Sequence, residues 1–449
     1  MNYFTTENKQ YIYPVKNFLI LSTIFFWIVS CKEPANVPSD TTLPPAAIDS
    51  SLLVVNELNK LIKPLGSDPL SVTDDELKVF DEYKNVKVIG LGEATHGTKE
   101  FFQMKQRLFQ YFVKNFGHRV FAFEMDYGES LVLDEYLQTG KGDITSIMKK
   151  EMHFFVWRTT EVRDLLEWMK SYNIGKSEDQ RLHIYGVDCQ YFDTNARILQ
   201  EKISKIDVNL GQKLQPILSP MKSLSYIPSE TDLNTIASLI KSNKNEITGK
   251  SSESEYQSIE HLSDVLIQTF IYANEPDHAK AGIIRDEYMG KNAVWLSKQT
   301  NFPMSIWAHN FHVSNIVETF TYSRTMGYYI TNALQGNYKV IGFSFLKGTV
   351  TSKNSLNMQV EYLNVDDALT ERFTNVVFGK CSTPNFLFKT KDVFKNPIIR
   401  PYIVSRAFFE MGAVYDTQNK PSEKYFLPLF EVNYDYLIHI NTSTHSDLL

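Results

Sequence analysis

The sequence has few cysteines and no excess of positive charge. Three cysteines, Cys31, Cys189 and Cys381, occur among 449 residues, too few for a disulfide-stapled fold or a cysteine-based zinc site. Whether Cys189 and Cys381 pair is open. The net charge of −6 at pH 7 argues against a nucleic-acid-binding protein, which would carry a basic stripe. After the N-terminal region, no apolar run reaches the roughly 20 residues of a membrane-spanning helix. These absences favour a globular protein with a small-molecule partner.

Several sequence motifs of known catalytic classes are also missing. The chain has no G-x-S-x-G turn, which argues against a serine hydrolase of the α/β-hydrolase type. It has no H-E-x-x-H motif, which argues against a zincin. Neither G-x-x-x-x-G-K-[ST] nor G-x-G-x-x-G occurs, so a nucleotide-binding loop is absent. Any catalytic site must therefore be sought in other residue patterns.

The N-terminal region has the features of a lipoprotein signal. Phe18–Val29 is an apolar run of signal-peptide length, and Ser30 and Cys31 follow it. This order resembles the bacterial lipobox, whose cysteine receives a lipid. We interpret residues 1–30 as a signal peptide, with export across the inner membrane and a lipid anchor on Cys31 in the cell envelope. An uncleaved signal anchor is the alternative. Residues 31–50 contain four prolines and fit a flexible tether.

Beyond the tether, short apolar runs alternate with amphipathic helical patterns. The runs predict buried strands, since both faces of a parallel strand are covered. The predicted strands are Val86–Leu91, Arg119–Phe123, His183–Val187, Met304–Ala308, Tyr338–Phe345 and Tyr434–Ile440. Alternation of this kind predicts an α/β fold with a mostly parallel central sheet flanked by helices.

The apolar residues between the strands recur with helical spacing. The first predicted helices are Ser51–Ile62, Thr98–Phe116, Tyr127–Leu137 and Glu161–Tyr172. Residues 194–299 are polar, helical in pattern and too long for a loop. We expect them to form a helical insertion that covers the carboxyl ends of the strands. The catalytic domain would then consist of residues 51–193 and 300–449.

Ionisable side chains follow four of the predicted strands. They are Glu93, His96, Glu124, Asp188, His309 and His312. Parallel strands bring their carboxyl ends to one edge of the sheet, so these groups should gather at a single site. Carboxylates and imidazoles in one place are what acid–base hydrolysis requires.

Each of these groups has a structural alternative when taken alone. Glu93 and His96 could cap the helix that begins near Thr98, and Asp188 could be an N-cap. Glu124 could pair with Lys105 or Arg107 on the surface, and the two later histidines could be a buried pair bonded to backbone. Their common position at the strand ends favours a functional site over separate structural roles.

Five short segments of the chain resemble, in type and order, the motifs of one known protein family. They are Leu91–Phe102 (LGEATHGTKEFF), Phe121–Glu124 (FAFE), Gly186–Asp188 (GVD), Arg285–Asn292 (RDEYMGKN) and Ala308–Val313 (AHNFHV). In type and order they resemble the motifs of the erythromycin esterase family. The resemblance covers roughly residues 80–350 and is weaker to about residue 440.

The best-known members of that family hydrolyse the lactone ring of macrolide antibiotics. The resemblance therefore implies a carboxylic ester hydrolase without a cofactor or metal, and a role in macrolide resistance. Carried over by position, His96 would be the general base that activates water, Glu93 would orient or polarise it, and Glu124 would lie close by. The residues implied in substrate binding or oxyanion stabilisation are His309, His312, Lys105 and Asp188. Some resistance enzymes carry arginine at the position of Lys105, so the geometry there should differ.

Three alternatives remain at the level of sequence. His309 and His312, together with the carboxylates, are ligand types that suit zinc or manganese, so a metal-dependent hydrolase is one. A non-catalytic surface lipoprotein that binds a glycan or a small molecule is the second. The third is an enzyme of the same family that acts on another ester or on a polysaccharide precursor. The oligomeric state is open.

Overall fold

The computed structural model describes residues 46–315, 324–365, 369–418 and 433–449. The predicted signal peptide, the lipidation site Cys31 and most of the predicted tether lie outside these residues. None of the described helices is both long enough and apolar enough to span a membrane. Cys189 and Cys381 are both free thiols, which answers the question of their pairing.

The strands and helices of the described residues follow the predicted alternation. The strands are β1 (Lys63–Pro64), β2 (Val88–Leu91), β3 (Val120–Asp126), β4 (His183–Asp188), β5 (Met304–Trp307), β6 (Tyr338–Asn354), β7 (Val360–Asn364), β8 (Asn385–Lys389), β9 (Val414–Tyr415) and β10 (Tyr436–Ser443). The helices are α1 (Ala46–Leu61), α2 (Asp74–Leu77), α3 (Lys99–Phe116), α4 (Tyr127–Thr139), α5 (Ile144–Glu151), α6 (Thr160–Asn173), α7 (Asp193–Ile206), α8 (Val208–Met221), α9 (Glu230–Ser242), α10 (Lys244–Lys250), α11 (Glu253–Asn274), α12 (His278–Gln299), α13 (Asn310–Val313), α14 (Met326–Leu334), α15 (Thr374–Phe378), α16 (Thr390–Lys395) and α17 (Ile399–Val404).

A single mostly parallel sheet forms the centre of the fold, which confirms the predicted fold class. Its order is β1-β8-β10-β6-β2-β5-β3-β4. The six strands from β10 to β4 are parallel to their neighbours. Strands β8 and β1 continue this sheet in antiparallel pairs. The carboxyl ends of β2, β5, β3 and β4 therefore lie along one edge.

The strands alternate their side chains between two hydrophobic clusters, one on each face of the sheet. In β2, Ile89 and Leu91 belong to one cluster and Val88 to the other. In β3, Phe121 packs in the first cluster and Val120 in the second. Because both faces are covered by helices, these strands read as continuous apolar runs in the sequence.

Several element boundaries differ from the predicted ones. β6 continues past Phe345 to Asn354, where it leaves the central sheet and pairs with β7 and β9. The polar residues of this extension hid it from an apolar pattern, although Val350, Thr351 and Ser352 are all buried. Helix α1 begins at Ala46 rather than Ser51, inside the predicted tether, because Ala46 and Ala47 are strong helix formers.

The stretch between β4 and β5 consists of helices α7 to α12. Most of these helices share a hydrophobic cluster of their own, which also includes Tyr127 of α4. The last of them, α12, packs against β4. It thereby carries Arg285 and Asp286 to the edge of the sheet where the parallel strands end. The division of the chain into domains at residues 194 and 299 stays a prediction.

Gly97, in the loop between β2 and α3, provides a test of how tightly that loop is packed. A Cβ on Gly97 would lie 1.8 Å from the carbonyl oxygen of Thr351 in β6, whereas a Cβ on Gly249 in α10 would meet nothing within 4 Å. We expect Gly97→Ala to lower the free energy of unfolding by about 1–3 kcal/mol. Gly249→Ala should be neutral or stabilising by up to about 1 kcal/mol. Urea denaturation of both variants measures the difference, and equal stabilities would contradict the packing at Gly97.

Candidate active site

The pairing register aligns the ends of four parallel strands. Leu91 pairs with Trp307, Trp307 with Phe123, and Phe123 with Gly186. The residues that follow this row are, strand by strand, Glu93, His309, Glu124 and Asp188, each within two positions of it. The structure therefore brings together the groups that the sequence predicted at the strand ends.

The loop after β2 carries Glu93 and His96 and is held by neighbouring segments. Four main-chain amides donate hydrogen bonds to carbonyl oxygens of this loop, those of Asn310, Met411, Thr351 and Ser446, at 2.9, 2.7, 2.9 and 3.0 Å. The loop has no regular hydrogen-bonding ladder of its own. These contacts fix the backbone of His96 in its place.

Glu93 is a completely buried carboxylate with three partners. Its Oε1 lies 2.6 Å from Nδ1 of His96. Its Oε2 accepts hydrogen bonds from the ammonium of Lys105 and, at 2.7 Å, from the indole nitrogen of Trp307. A buried carboxylate is stable only when its charge is compensated and its oxygens are bonded. Both conditions are met here.

Lys105, which the sequence suggested for substrate binding, lies behind Glu93. Its side chain is 0% exposed, and its ammonium lies 4.3 Å from the ring centroid of Trp307. Burial lowers the pKa of Lys105 to about 8, although the charge of Glu93 opposes this shift. In this position Lys105 is the partner that stabilises the charge of Glu93, and its part in substrate binding stays a prediction.

His96 presents one ring nitrogen to the site. With Nδ1 bonded to Glu93, the Nε2 atom has no hydrogen-bond partner among the residues that the structure describes. The ring stands edge-on to Trp157, with centroids 6.1 Å apart, and lies 5.2 Å from the ring of His309. The side chain is 7% exposed, which is enough for contact with a small molecule at Nε2.

A second charged cluster is centred on Arg285 of α12. Its guanidinium donates two parallel hydrogen bonds to Asp188, at 2.9 and 2.6 Å. It donates a further bond of 2.7 Å to Oε1 of Glu124. The charge of Arg285 thus compensates two buried carboxylates from β3 and β4, with the bidentate geometry that arginine favours.

His312 completes this second cluster as a charged group. Its Nδ1 lies 2.8 Å from Asp286 and its Nε2 lies 3.3 Å from Glu124. Burial disfavours the charged imidazole, but the two carboxylates outweigh this and raise the pKa of His312. In the same way, burial would raise the pKa of Glu124, yet the charges of His312 and Arg285 hold it well below its usual range.

His309 lies between His96 and His312 and carries no charge. Its Nδ1 accepts a hydrogen bond from the amide of Phe311 at 3.2 Å, and its Nε2 lies 3.2 Å from the carbonyl oxygen of Met411. Burial, and then the nearby rings of His96 and His312, hold the pKa of His309 well below its usual value. It is therefore a neutral imidazole with both ring nitrogens bonded to the main chain.

Asp188, which the sequence suggested for substrate binding, is bonded on both of its carboxylate oxygens, and the suggested role stays a prediction. The side chain is 0% exposed. Its oxygens are taken by Arg285, the amide of Cys189 at 2.8 Å and the side chain of Gln190 at 2.6 Å. The role that this geometry supports is to hold Arg285 in place.

Four residues of the site were not singled out from the sequence as members of it. They are Arg285, Asp286, Trp307 and Glu410. The first two stand in a motif that was noted, but only the fold shows that α12 reaches the strand ends. Glu410 accepts hydrogen bonds from Asn310 at 2.7 Å and Tyr434 at 2.9 Å. Burial raises its pKa to about 7. No motif marks this residue.

The possible metal ligands of the site are not arranged around a common point. Within residues 46–315, 324–365, 369–418 and 433–449, no three His, Cys, Asp or Glu side chains are grouped so that they could hold one metal ion. The carboxylates that the sequence suggested as ligands, Glu93, Glu124 and Asp188, are bonded to Lys105, His96 and Arg285. The donor set thus does not fit a resident metal.

The fold and the site define an α/β protein whose acid–base groups gather at the carboxyl ends of a parallel sheet. Comparison with known proteins places it more narrowly. The chain belongs to the erythromycin esterase family, whose model matches residues 113–443. Membership suggests a hydrolase. The matched range includes Glu124, Arg285 and His312 but begins after His96, so the role of His96 rests on its geometry.

Known relatives agree with this assignment at low identity. The chain is 21% identical over 311 residues to erythromycin esterase type II of Escherichia coli, covering 60% of this chain and 73% of that protein. Among solved structures, a Bacillus cereus protein has a TM-score of 0.73 at 23% identity, over 89% of this chain and 99% of the other. A mutant of the erythromycin esterase EreC in its open conformation has a TM-score of 0.60 at 16% identity, over 86% and 98%. These structures show that the fold is shared.

The buried ion pair of Glu93 and Lys105 should contribute to the free energy of unfolding. Lys105→Met leaves the carboxylate of Glu93 buried without its cation, which should cost about 3–5 kcal/mol. The double variant Glu93→Gln with Lys105→Met removes both charges and should recover most of this loss. Urea denaturation at neutral pH measures both. If the single and the double variant unfold at the same urea concentration, the two charges are not coupled in the fold.

Proposed function

We propose that the protein is a carboxylic ester hydrolase in which His96 removes a proton from the attacking water. The observation that carries the proposal is the 2.6 Å contact between Nδ1 of His96 and Glu93, which leaves Nε2 directed to the site. Imidazole is the side chain best suited to accept a proton from water near neutral pH.

The contact with Glu93 determines which ring nitrogen acts as the base. A proton on Nδ1 is donated to the carboxylate, so the lone pair is on Nε2. Water held at Nε2 loses its proton to the ring as its oxygen attacks the ester carbonyl. The charge of Glu93 then stabilises the imidazolium. When the bond to the alcohol oxygen breaks, the imidazolium returns the proton to that oxygen, which leaves an acid and an alcohol.

The second charged cluster supports the proposal through electrostatics. Arg285 and His312 place N–H donors next to Glu124, at the carboxyl ends of the same strands, and the neighbouring carboxylates balance their charge. Preorganised N–H donors in a water-poor site stabilise the negative charge that develops on a carbonyl oxygen. His309, neutral and bonded to the main chain, separates this cluster from His96. We assign it a structural part in the site.

A macrolactone is the substrate that the family and its E. coli relative suggest. A cyclic ester and an open ester present the same carbonyl to His96, so the chemistry admits both. We propose ester cleavage as the activity and a macrolactone as one substrate of it, with macrolide resistance as the consequence.

Replacement of His96 tests the reaction. His96→Ala should reduce hydrolysis of aryl esters and lactones, including erythromycin, by about 10²–10⁴-fold, with an unchanged melting temperature. The control is His278→Ala, at the exposed start of α12, which should keep full activity. Release of nitrophenol and mass spectrometry of lactones, where cleavage adds one water, provide the measurement. A folded His96→Ala variant with normal turnover would exclude His96 as the base.

We propose that the protein is exported and anchored in the cell envelope through a lipid on Cys31. The support is the apolar run Phe18–Val29 that leads to Ser30 and Cys31. Mass spectrometry of the mature protein should find Cys31 at the N-terminus with a lipid attached. Cys31→Ser should move the protein out of the membrane fraction, whereas Cys381→Ser should not. An unmodified Cys31 in a membrane-bound protein would contradict the proposal.

A further inference from the structure

Met411 contacts both the loop of His96 and the imidazole of His309. It lies in the irregular stretch 408–412, between α17 and β9. Its amide donates a hydrogen bond to the carbonyl oxygen of Ala94 in that loop, at 2.7 Å. Its own carbonyl oxygen lies 3.2 Å from Nε2 of His309. The position of this stretch therefore sets the distance between the loop of the candidate base and His309.

The side chain of the preceding residue, Glu410, fastens this stretch to the turn after β5. Its Oε1 accepts a hydrogen bond from the side chain of Asn310 at 2.7 Å. The main-chain amide of Asn310 donates in turn to the carbonyl oxygen of Glu93, at 2.9 Å. The stretch 408–412 thus reaches the loop of His96 twice, once directly and once through Asn310.

Glu410 differs from the other buried carboxylates of the site in its partners. Glu93 and Asp188 are each bonded to a lysine or an arginine. Among the described residues, the hydrogen bonds of Glu410 come from Asn310 and, at 2.9 Å, from the hydroxyl of Tyr434. Burial raises the pKa of Glu410 to about 7, although these two bonds oppose the shift. The neutral carboxyl group can accept both bonds through its carbonyl oxygen, so the contact with Asn310 does not depend on a charge.

We propose that Glu410 is a positioning residue, which fixes the loop of His96 against His309 by its contact with Asn310. The proposal rests on the proposed esterase function and deepens it, because that function needs Nε2 of His96 at a fixed place beside the ester. A displacement of about 1 Å is enough to slow an enzymatic reaction about 10²-fold. The length of the Glu410 side chain is then essential, and its charge is not.

Substitutions of Glu410 in the full chain separate length from charge. Glu410→Gln keeps the length and the oxygen that accepts from Asn310, whereas Glu410→Asp keeps the acid and is one methylene shorter. We expect kcat for p-nitrophenyl butyrate to fall about 10–100-fold in Glu410→Asp and in Glu410→Ala, with KM nearly unchanged. Glu410→Gln should recover most of this loss. If Glu410→Ala does not fold, the comparison of Glu410→Asp with Glu410→Gln decides.

The matched control is Asn173→Ala, at the end of α6. Asn173 is also buried, and its side chain bonds to the main chain of Leu182 in both directions, at 2.9 and 2.6 Å. This variant should have a lower melting temperature and an unchanged kcat, because Leu182 lies where β4 begins and the site lies where the strands end. An equal fall of kcat in Asn173→Ala and Glu410→Ala would leave Glu410 with a structural role and overturn the proposal.

A proton signal of His309 tests the positioning without turnover. Nδ1 of His309 accepts from the amide of Phe311, so the ring proton is on Nε2 and points to Met411. This N–H should give a downfield proton resonance that is protected from exchange with water and identified by its loss in His309→Gln. We expect the resonance in the wild type and in Glu410→Gln, and its loss through exchange in Glu410→Asp.

The two readouts together distinguish the possible outcomes. A folded Glu410→Asp variant with normal kcat and with the resonance of His309 in place would overturn the proposal. Loss of kcat in Glu410→Gln, with normal kcat in Glu410→Asp, would also overturn it, since Glu410 would then act as an acid. If no ester is hydrolysed but the resonance responds as expected, the esterase function fails and the positioning of His309 by Glu410 stands.

Discussion

The ion pair of Glu93 and Lys105 is the contact on which the site depends. A carboxylate that is completely buried needs a cation and further donors at once. Lys105 comes from α3 and the indole of Trp307 from β5, so β2, β5 and α3 must all be in place before the buried carboxylate of Glu93 has its partners. Since Glu93 in turn fixes His96 at 2.6 Å, the packing of the sheet determines the orientation of the candidate base.

The second cluster, centred on Arg285, also pairs buried carboxylates with cations from other elements of the fold. Arg285 compensates Glu124 and Asp188, and His312 is kept charged between Glu124 and Asp286. These mutual contacts offset the cost of burying the charges. Between the two clusters, His309 stays neutral because burial and two nearby imidazoles outweigh the charge of Glu124. The site therefore has the candidate proton acceptor on one side and, on the other, two cations whose charges are balanced by carboxylates.

The parallel core of the fold could be predicted from the sequence, whereas the contacts between its charged side chains could not. Strands β2 to β5 were visible because burial on both faces leaves an uninterrupted apolar run. The short strand β1 carries no such signal, and β8 carries only the three apolar residues Phe386, Leu387 and Phe388. Parallel geometry then allowed Glu93, Glu124 and His309 to be placed at one edge. The burial of Lys105 and the reach of Arg285 could not be predicted, because both depend on which helix packs over which strand end. A charged residue on an amphipathic helix has the same pattern whether it meets solvent or a buried partner.

The family model covers residues 113–443, which include the cluster of Arg285, the turn from Phe155 to Arg158 and the extension of β6. The loop of Glu93 and His96 precedes this range. A substrate must also contact the surroundings of His96, and these include the turn from Phe155 to Arg158 and the extension of β6 beyond the central sheet. Both segments lie outside the strand-end row that the fold imposes. Both segments are also bonded to the site, because Trp157 donates to the carbonyl oxygen of Glu124 at 3.1 Å and Thr351 donates to that of Gly97 at 2.9 Å. A change in either segment would therefore reach the candidate catalytic groups as well as the substrate.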